Sequence, residues 1–119
     1  MTGFIGLGKM AEALVRGLGK ASGPLAGHDP DAGRARLLAD AGVEILADNA
    51  AVVARSERIV VAVKPQAFPA LGVLPAADRL VVSIMAGVPT GSISRAFPGA
   101  RIVRAMPNTP LLAGKGMTA

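Results

Sequence analysis

Short runs of Val, Ile, Leu and Ala alternate along this chain with stretches whose apolar residues return every three or four positions. That alternation predicts βαβ units on a parallel sheet. Strands are predicted near Gly3–Ile5, Leu25–His28, Val43–Ile45, Arg58–Val63, Leu80–Ile84 and Ile102–Ala105. Helices are predicted over Lys9–Gly19, with Met10, Ala13, Leu14 and Leu18 on one stripe, and over Asp31–Ala41, with Ala35, Leu38 and Ala39. Asp31 is placed to cap the second helix, and Gly42 stands where a left-handed stop is wanted after it. Asn49–Arg55, Gln66–Gly72 and Thr90–Phe97 are shorter helical candidates, the last with Thr90 as its cap after Pro89. The expected fold class is α/β: a doubly wound, mainly parallel sheet with helices on both faces, in one domain over residues 1–119. No linker, repeat or low-complexity segment interrupts it.

Composition narrows the core. A chain of 119 residues buries roughly two-thirds of the surface its unfolded form exposes. Hydrophobic residues make up 51% but aromatics only 3%, with three Phe and no Trp or Tyr. The core must therefore be aliphatic, as suits a parallel sheet covered on both faces. The absence of cysteine excludes disulfides, thiolate metal sites and a cysteine nucleophile, and points to the cytoplasm. Met1 leads straight into strand-like sequence without a signal segment, and no apolar run approaches the ~20 residues of a membrane helix. Thirteen Lys and Arg against eight Asp and Glu give a net charge of +5. They are scattered singly, apart from Arg34 and Arg36, and have no interleaved aromatics on which bases would stack. A nucleic-acid partner is not expected. The basic balance is either a solvated surface or a field that draws in a polyanionic cofactor.

The sharpest motif is Gly6-x-Gly8-x-x-Ala11, directly after the first strand and opening the first helix. Gly6 allows the tight turn, Gly8 lets a pyrophosphate approach the backbone, and Ala11 keeps the helix close to the sheet. The helix N-terminus adds unpaired N–H groups and the positive end of a dipole. In this setting the motif marks a Rossmann-type dinucleotide cradle. Such folds also place a ribose-reading group at the end of the second strand. Asp29 stands there, 18 residues beyond Ala11. A carboxylate would bond the ribose hydroxyls of NAD and repel the 2′-phosphate of NADP, whereas Arg34 and Arg36 can attract that phosphate. The competing reading is that Asp29 and Pro30 only shape the turn.

Ligands of open α/β sheets gather outside the carboxyl ends of the strands. Val61–Gln66, Ile84–Val88 and Pro107–Thr109 are therefore expected to converge on one crevice. Lys64 can pair there with phosphate or substrate charge, or simply be solvated. No Ser/His/Asp set, paired carboxylate or metal-ligand spacing offers a competing chemistry.

Phe4-Ile5-Gly6-Leu7-Gly8-Lys9-Met10, Asn49, Val61-Ala62-Val63-Lys64-Pro65, Val82–Val88, Arg104-Ala105-Met106-Pro107-Asn108-Thr109-Pro110 and Gly114-x-Gly116-Met117-Thr118 together resemble the successive motif blocks of the pyrroline-5-carboxylate reductases. These enzymes make proline by passing a hydride from NAD(P)H to a cyclic imine. The first block occurs in many β-hydroxyacid-dehydrogenase-like folds, while Met-Pro-Asn-Thr-Pro is specific.

Residue by residue, the resemblance implies that Gly6, Leu7, Gly8, Lys9 and Met10 wrap the pyrophosphate of NADPH or NADH. Asn49 would contact the adenosine ribose side, and Ala62, Val63, Lys64 and Pro65 would line the path to the nicotinamide. Ala86, Gly87, Met106, Pro107 and Asn108 would border the hydride-transfer site, with Thr109 also on the substrate side. Lys9 and Ala11 depart from the family's usual Asn and Gly. Asp29 replaces its usual Ser, Thr or Asn, which leaves the choice between NADPH and NADH open.

The resemblance also implies a C-terminal helical domain that interleaves two subunits, completes the imine pocket and supplies the proton donor. None of it follows Ala119, so the chain is expected to be the N-terminal part of such an enzyme, with no catalytic residue of its own assigned and a homo-oligomer expected for the whole protein. Two function classes follow. One is the oxidoreductase domain of a pyrroline-5-carboxylate reductase. The other is a dinucleotide-binding module without turnover of its own, by truncation or as a regulator. Within the enzyme class the runner-up is another β-hydroxyacid-dehydrogenase-like reductase, such as a deazaflavin-dependent one, against which the Met106–Pro110 block argues.

Overall fold

The computed structural model describes residues 1–18 and 23–105. Six strands, β1 (Thr2–Ile5), β2 (Leu25–His28), β3 (Val43–Ile45), β4 (Arg58–Val61), β5 (Leu80–Ser83) and β6 (Arg101–Arg104), form one sheet in the order β3-β2-β1-β4-β5-β6. Every pairing is parallel, with Ile5 opposite His28 on one side and Val61 on the other. The order reverses at β1, so a crevice opens between the carboxyl ends of β1 and β4.

Helices α1 (Lys9–Leu18), α2 (Ala32–Asp40), α3 (Asn49–Arg55) and α4 (Thr90–Ala96) cross between the strands. Adjacent strand residues point to opposite faces, and the core is split accordingly. Phe4 packs with Leu7, Ala11, Leu14, Val15 and Leu38 of the α1 and α2 layer. Ile5 packs with Val52, Ile59, Val61, Ile93 and Phe97 of the α3 and α4 layer. Helices therefore cover both faces, as the alternating pattern predicts.

Four local expectations shift. Of the expected α1 stripe only Leu14 is fully buried, joined by Ala11 and Val15, while Met10, Ala13 and Leu18 are half-buried; the small Ala11 lets the helix lie close to the sheet. In α2 only Leu38 is fully buried, and Ala39 faces solvent. The segment after β4 is a 3-10 helix over Pro65–Leu71, with Pro69 inside it; Pro69 withholds the N–H donor an α-helix requires there. The cap of α4 is Pro89, with no side-chain bond, so Thr90 is the first helical residue. Asp31 does cap α2, its side chain accepting from the N–H groups of Gly33 and Arg34, and Gly42 follows at φ 101°.

Close backbone approach fixes how α3 seats. A Cβ on Gly3 would fall 2.2 Å from Ser56 Oγ and 2.6 Å from Val52 Cγ1. Only a glycine in β1 lets the helix come this near. Behind it, Arg79 gathers the C-terminal carbonyls of α3. Its Nε donates to Val53 at 2.7 Å and Ser56 at 3.1 Å, and its Nη2 donates to Ala54 at 3.3 Å.

Candidate functional site

The crevice is built where the β1–α1 turn meets the end of β4. Gly6 has φ 94°, and a Cβ there would lie 2.9 Å from both the backbone nitrogen and Cγ1 of Val63. Its N–H donates to the His28 carbonyl at 3.0 Å, while the Ala62 N–H donates to the Ile5 carbonyl at 2.8 Å. The turn is thus pinned between β2 and β4. A Cβ on Gly8 would meet nothing within 4 Å, so this glycine leaves open space at the mouth of α1. The Gly8 carbonyl accepts the Glu12 N–H at 2.9 Å, which places the first, intrahelically unpaired N–H groups of α1 beside that space.

Two residues expected to serve the cofactor also serve the backbone. Asp29 Oδ2 accepts the Leu7 N–H at 2.8 Å, and Oδ1 accepts the Asp31 N–H at 2.8 Å. Leu7 itself is fully buried. The Leu7 N–H is thus engaged by Asp29, whereas the N–H groups of Gly8, Lys9 and Met10, at the start of α1, have no partner within the helix. Arg34, considered as a 2′-phosphate partner, instead sends Nε to the Leu7 carbonyl at 2.8 Å and Nη2 to Glu12 Oε1 at 2.9 Å. The bond from Arg34 holds the Glu12 carboxyl below the usual carboxylate range, and a second bond from Arg16 adds to the effect. Arg36 is exposed. His28 is a structural tie: Nδ1–H donates to the Leu46 carbonyl at 3.0 Å and joins the ends of β2 and β3.

Asp48 caps α3 through the Ala51 N–H at 2.8 Å. Asn49 follows, its Oδ1 buried without a hydrogen-bond partner. A buried polar atom left unsatisfied is costly, and this one lies at the start of α3, just beyond β3. On the other side Ala62 and Val63 are half-buried, and Lys64 and Pro65 are exposed. Ser83, buried at the end of β5, accepts the Met85 N–H at 3.2 Å. The next turn presents Ala86 and Gly87 to solvent, with Gly87 at φ 73°. Met106, Pro107, Asn108 and Thr109 lie outside the described residues. A separate depression of about 570 Å³ at the opposite end of the sheet is lined by Val15, Arg16, Pro24 and Gly42 among others, away from all these loops.

The residues present fit a dinucleotide: an open glycine at a helix mouth, a carboxylate at the end of β2 and an unpaired buried amide beyond β3. Sequence reasoning missed the Leu7–Arg34–Glu12 contacts. They join residues 22 and 27 positions apart, and no local spacing rule reports such pairs.

Comparison with known proteins agrees with this architecture. Residues 1–87 match the model of the family described as NADP oxidoreductase, coenzyme F420-dependent. The chain is 39% identical to the pyrroline-5-carboxylate reductase of Pasteurella multocida, over 97% of its own length and 46% of that protein. It superposes on the pyrroline-5-carboxylate reductase of Coxiella burnetii with a TM-score of 0.80 at 31% identity, covering 94% of this chain and 45% of that one. The NADP-bound pyrroline carboxylate reductase of Plasmodium falciparum gives a TM-score of 0.72 at 27% identity, over 94% of this chain and 44% of that one. The chain thus spans about half the length of the relatives it matches.

Proposed function

This chain belongs to the NADP oxidoreductase, coenzyme F420-dependent, family, and on that premise we propose that it is the dinucleotide-binding half of a pyrroline-5-carboxylate reductase. In a protein of the relatives' length it would reduce 1-pyrroline-5-carboxylate to L-proline with NADPH or NADH, as a homo-oligomer in the cytoplasm, without nucleic acid or membrane as partner. The observation that carries this reading is the Gly6–Gly8 turn seated against Val63 at the switch point of the sheet. The family description names F420 beside NADP; the imine is favoured because the pyrroline-5-carboxylate reductases align over nearly the whole chain. Among the described residues no helix is long and apolar enough to cross a membrane.

Gly8, Lys9 and Met10 would hold the pyrophosphate, Asp29 and Asn49 the adenosine ribose side, and Ala62–Pro65 the path toward the nicotinamide. Ala86 and Gly87 would border the reacting end, with Met106, Pro107, Asn108 and Thr109 beside the substrate. The bound cofactor supplies the hydride, so the chain's own contribution is position and electrostatics. Hydride transfer needs the imine carbon about 3–3.5 Å from its donor, yet Lys64, Ala86 and Gly87 are exposed. That exposure favours the module reading for the 119 residues alone: they bind dinucleotide weakly and do not turn over.

The test pairs calorimetric titration of NADPH and NADH into the chain with an assay of NADPH absorbance in the presence of the imine. Sedimentation of the same sample reports its assembly state. Binding without turnover is expected. Robust turnover by a monomer would overturn the division of labour and move the chemistry onto Lys64, Asn108 and Thr109. Absence of any dinucleotide binding would overturn the site.

A further inference from the structure

Two successive peptide groups of the cradle are held by side chains from other elements. The Gly6–Leu7 peptide gives its N–H to Asp29 at the end of β2, and the Leu7–Gly8 peptide gives its carbonyl to Arg34 in the first turn of α2. Arg34 is bound in turn by Glu12 in the first turn of α1, and Glu12 by Arg16 at 3.0 Å. Asp29 also accepts the Asp31 N–H, and Asp31 caps the helix that carries Arg34. The chain of bonds therefore leaves the glycine turn, passes through both helix starts and returns to it. Leu38 is the only buried residue among those of α2, so this polar ring, more than packing, sets where the first turn of that helix lies.

The peptide plane makes the arrangement directional. In a trans peptide the carbonyl and the following N–H point in opposite directions. Arg34, by holding the Leu7 carbonyl, turns the Gly8 N–H away from its own guanidinium, at a residue whose missing Cβ leaves open space. Its guanidinium can do this while bonding Glu12 because Nε and Nη2 form a planar fork; a lysine ammonium offers no such pair of fixed directions. The same bonds offset the Glu12 carboxylate, which would otherwise oppose an anion at the mouth of α1.

Resting on the dinucleotide reading above, we propose that Arg34 is a positioning residue for the pyrophosphate cradle and not a ligand of the cofactor's 2′-phosphate. It acts on the part that NADH and NADPH share. Removing it should weaken both equally.

The experiment titrates NADH and NADPH separately into the 119-residue chain and its Arg34→Met and Arg34→Lys variants, with Gly8→Val as the control for the site. Arg34→Met should weaken both cofactors about tenfold, the scale of one charge-assisted hydrogen bond, and leave their affinity ratio unchanged. Arg34→Lys should fare no better than Met. Amide exchange at Leu7 should quicken in both variants, while Ile59 in β4 keeps its protection. A loss confined to NADPH, full rescue by lysine, or unchanged affinity for both cofactors would overturn the proposal. If Gly8→Val also leaves binding intact, the cofactor site itself is misplaced, and Leu7 exchange alone then decides whether the clamp exists. Should the Arg34 variants fail to fold, Glu12→Gln removes one of its two holds; a smaller, equal loss for both cofactors is expected, and none would overturn the role.

Discussion

On the β1–β2–β3 side of the crevice Asp29, Asp31, Arg34 and Asp48 each reach a backbone group with a side chain, and Glu12 braces Arg34. On the β4–β5 side, among the described residues, the loops after Val61 and Ser83 carry one such tie at the sheet's end, Ser83 to Met85. The first side shapes an irregular turn with fixed charges and dipoles, which is what binding an unreactive phosphate and ribose asks of it. The second presents exposed Lys64, Ala86 and Gly87 with little to fix their loops. Holding a cofactor and enclosing a reaction are separable demands, and among the described residues the first side is the more firmly tied.

The largest effect should come from breaking the contact between the two sides. Gly6→Val forces a branched side chain into φ 94° and against the Val63 backbone. About 2–5 kcal/mol of stability should be lost from left-handed strain and overpacking, together with dinucleotide binding, as read by urea denaturation and titration. A loss below about 1 kcal/mol would mean that the junction yields. Gly8→Val, two residues on, should do the reverse: its Cβ meets nothing, so the fold stays intact while binding disappears. Unchanged affinity in that folded variant would remove the pyrophosphate from the turn.

A disturbance remote from both sides sharpens the contrast. Arg79 bonds four carbonyls at the far end of the sheet, those of Val53, Ser56, Ala77 and Ala54. Arg79→Leu should cost about 1–3 kcal/mol by leaving part-buried carbonyls unpaired, without changing cofactor affinity in the variant that remains folded. A parallel drop in affinity would show that the crevice shares the strain.

On the proposed reading, Asp29→Ser should raise the affinity for NADPH relative to NADH by about 1–2 kcal/mol, because a negative charge is removed from beside the proposed 2′-phosphate site. The shorter hydroxyl gives up the Leu7 N–H, a loss common to both cofactors that their ratio cancels. If the NADH/NADPH ratio does not move, Asp29 serves only the turn.

The smallest effect concerns acid. Arg34 foremost, and then Arg16, hold the Glu12 carboxyl below its ordinary value of 4.5. A carboxylate whose pKa is depressed by folding adds stability that is full above the unfolded value and is lost as pH falls through the folded one. Glu12→Gln should therefore flatten the acid limb of the stability curve below about pH 5, as read from urea midpoints across that range. An identical slope in both proteins would mean that these ion pairs survive in the unfolded chain.

Although it did not tell the 3-10 segment after β4 from an α-helix, the alternation of aliphatic runs with helical stripes determined, among the described residues, the six strands, the five helical segments between them, the parallel sheet and its two covered faces, because burial periodicity is written locally. The same holds for the Asp31 cap and the Gly6-x-Gly8 turn, whose chemistry sits within a few residues. The sequence alone could not orient α1 in detail, whose fully buried positions include Ala11 and Val15 where Met10 and Ala13 offered an alternative edge to the stripe. Nor could it choose among the partners open to Asp29 and Arg34. Both carry charges that suit a ribose or a phosphate, and both are taken up by the Leu7 peptide. That outcome depends on α2 bringing its first turn against the mouth of α1. It is a matter of distances between residues more than 20 positions apart, which only the folded chain brings within reach.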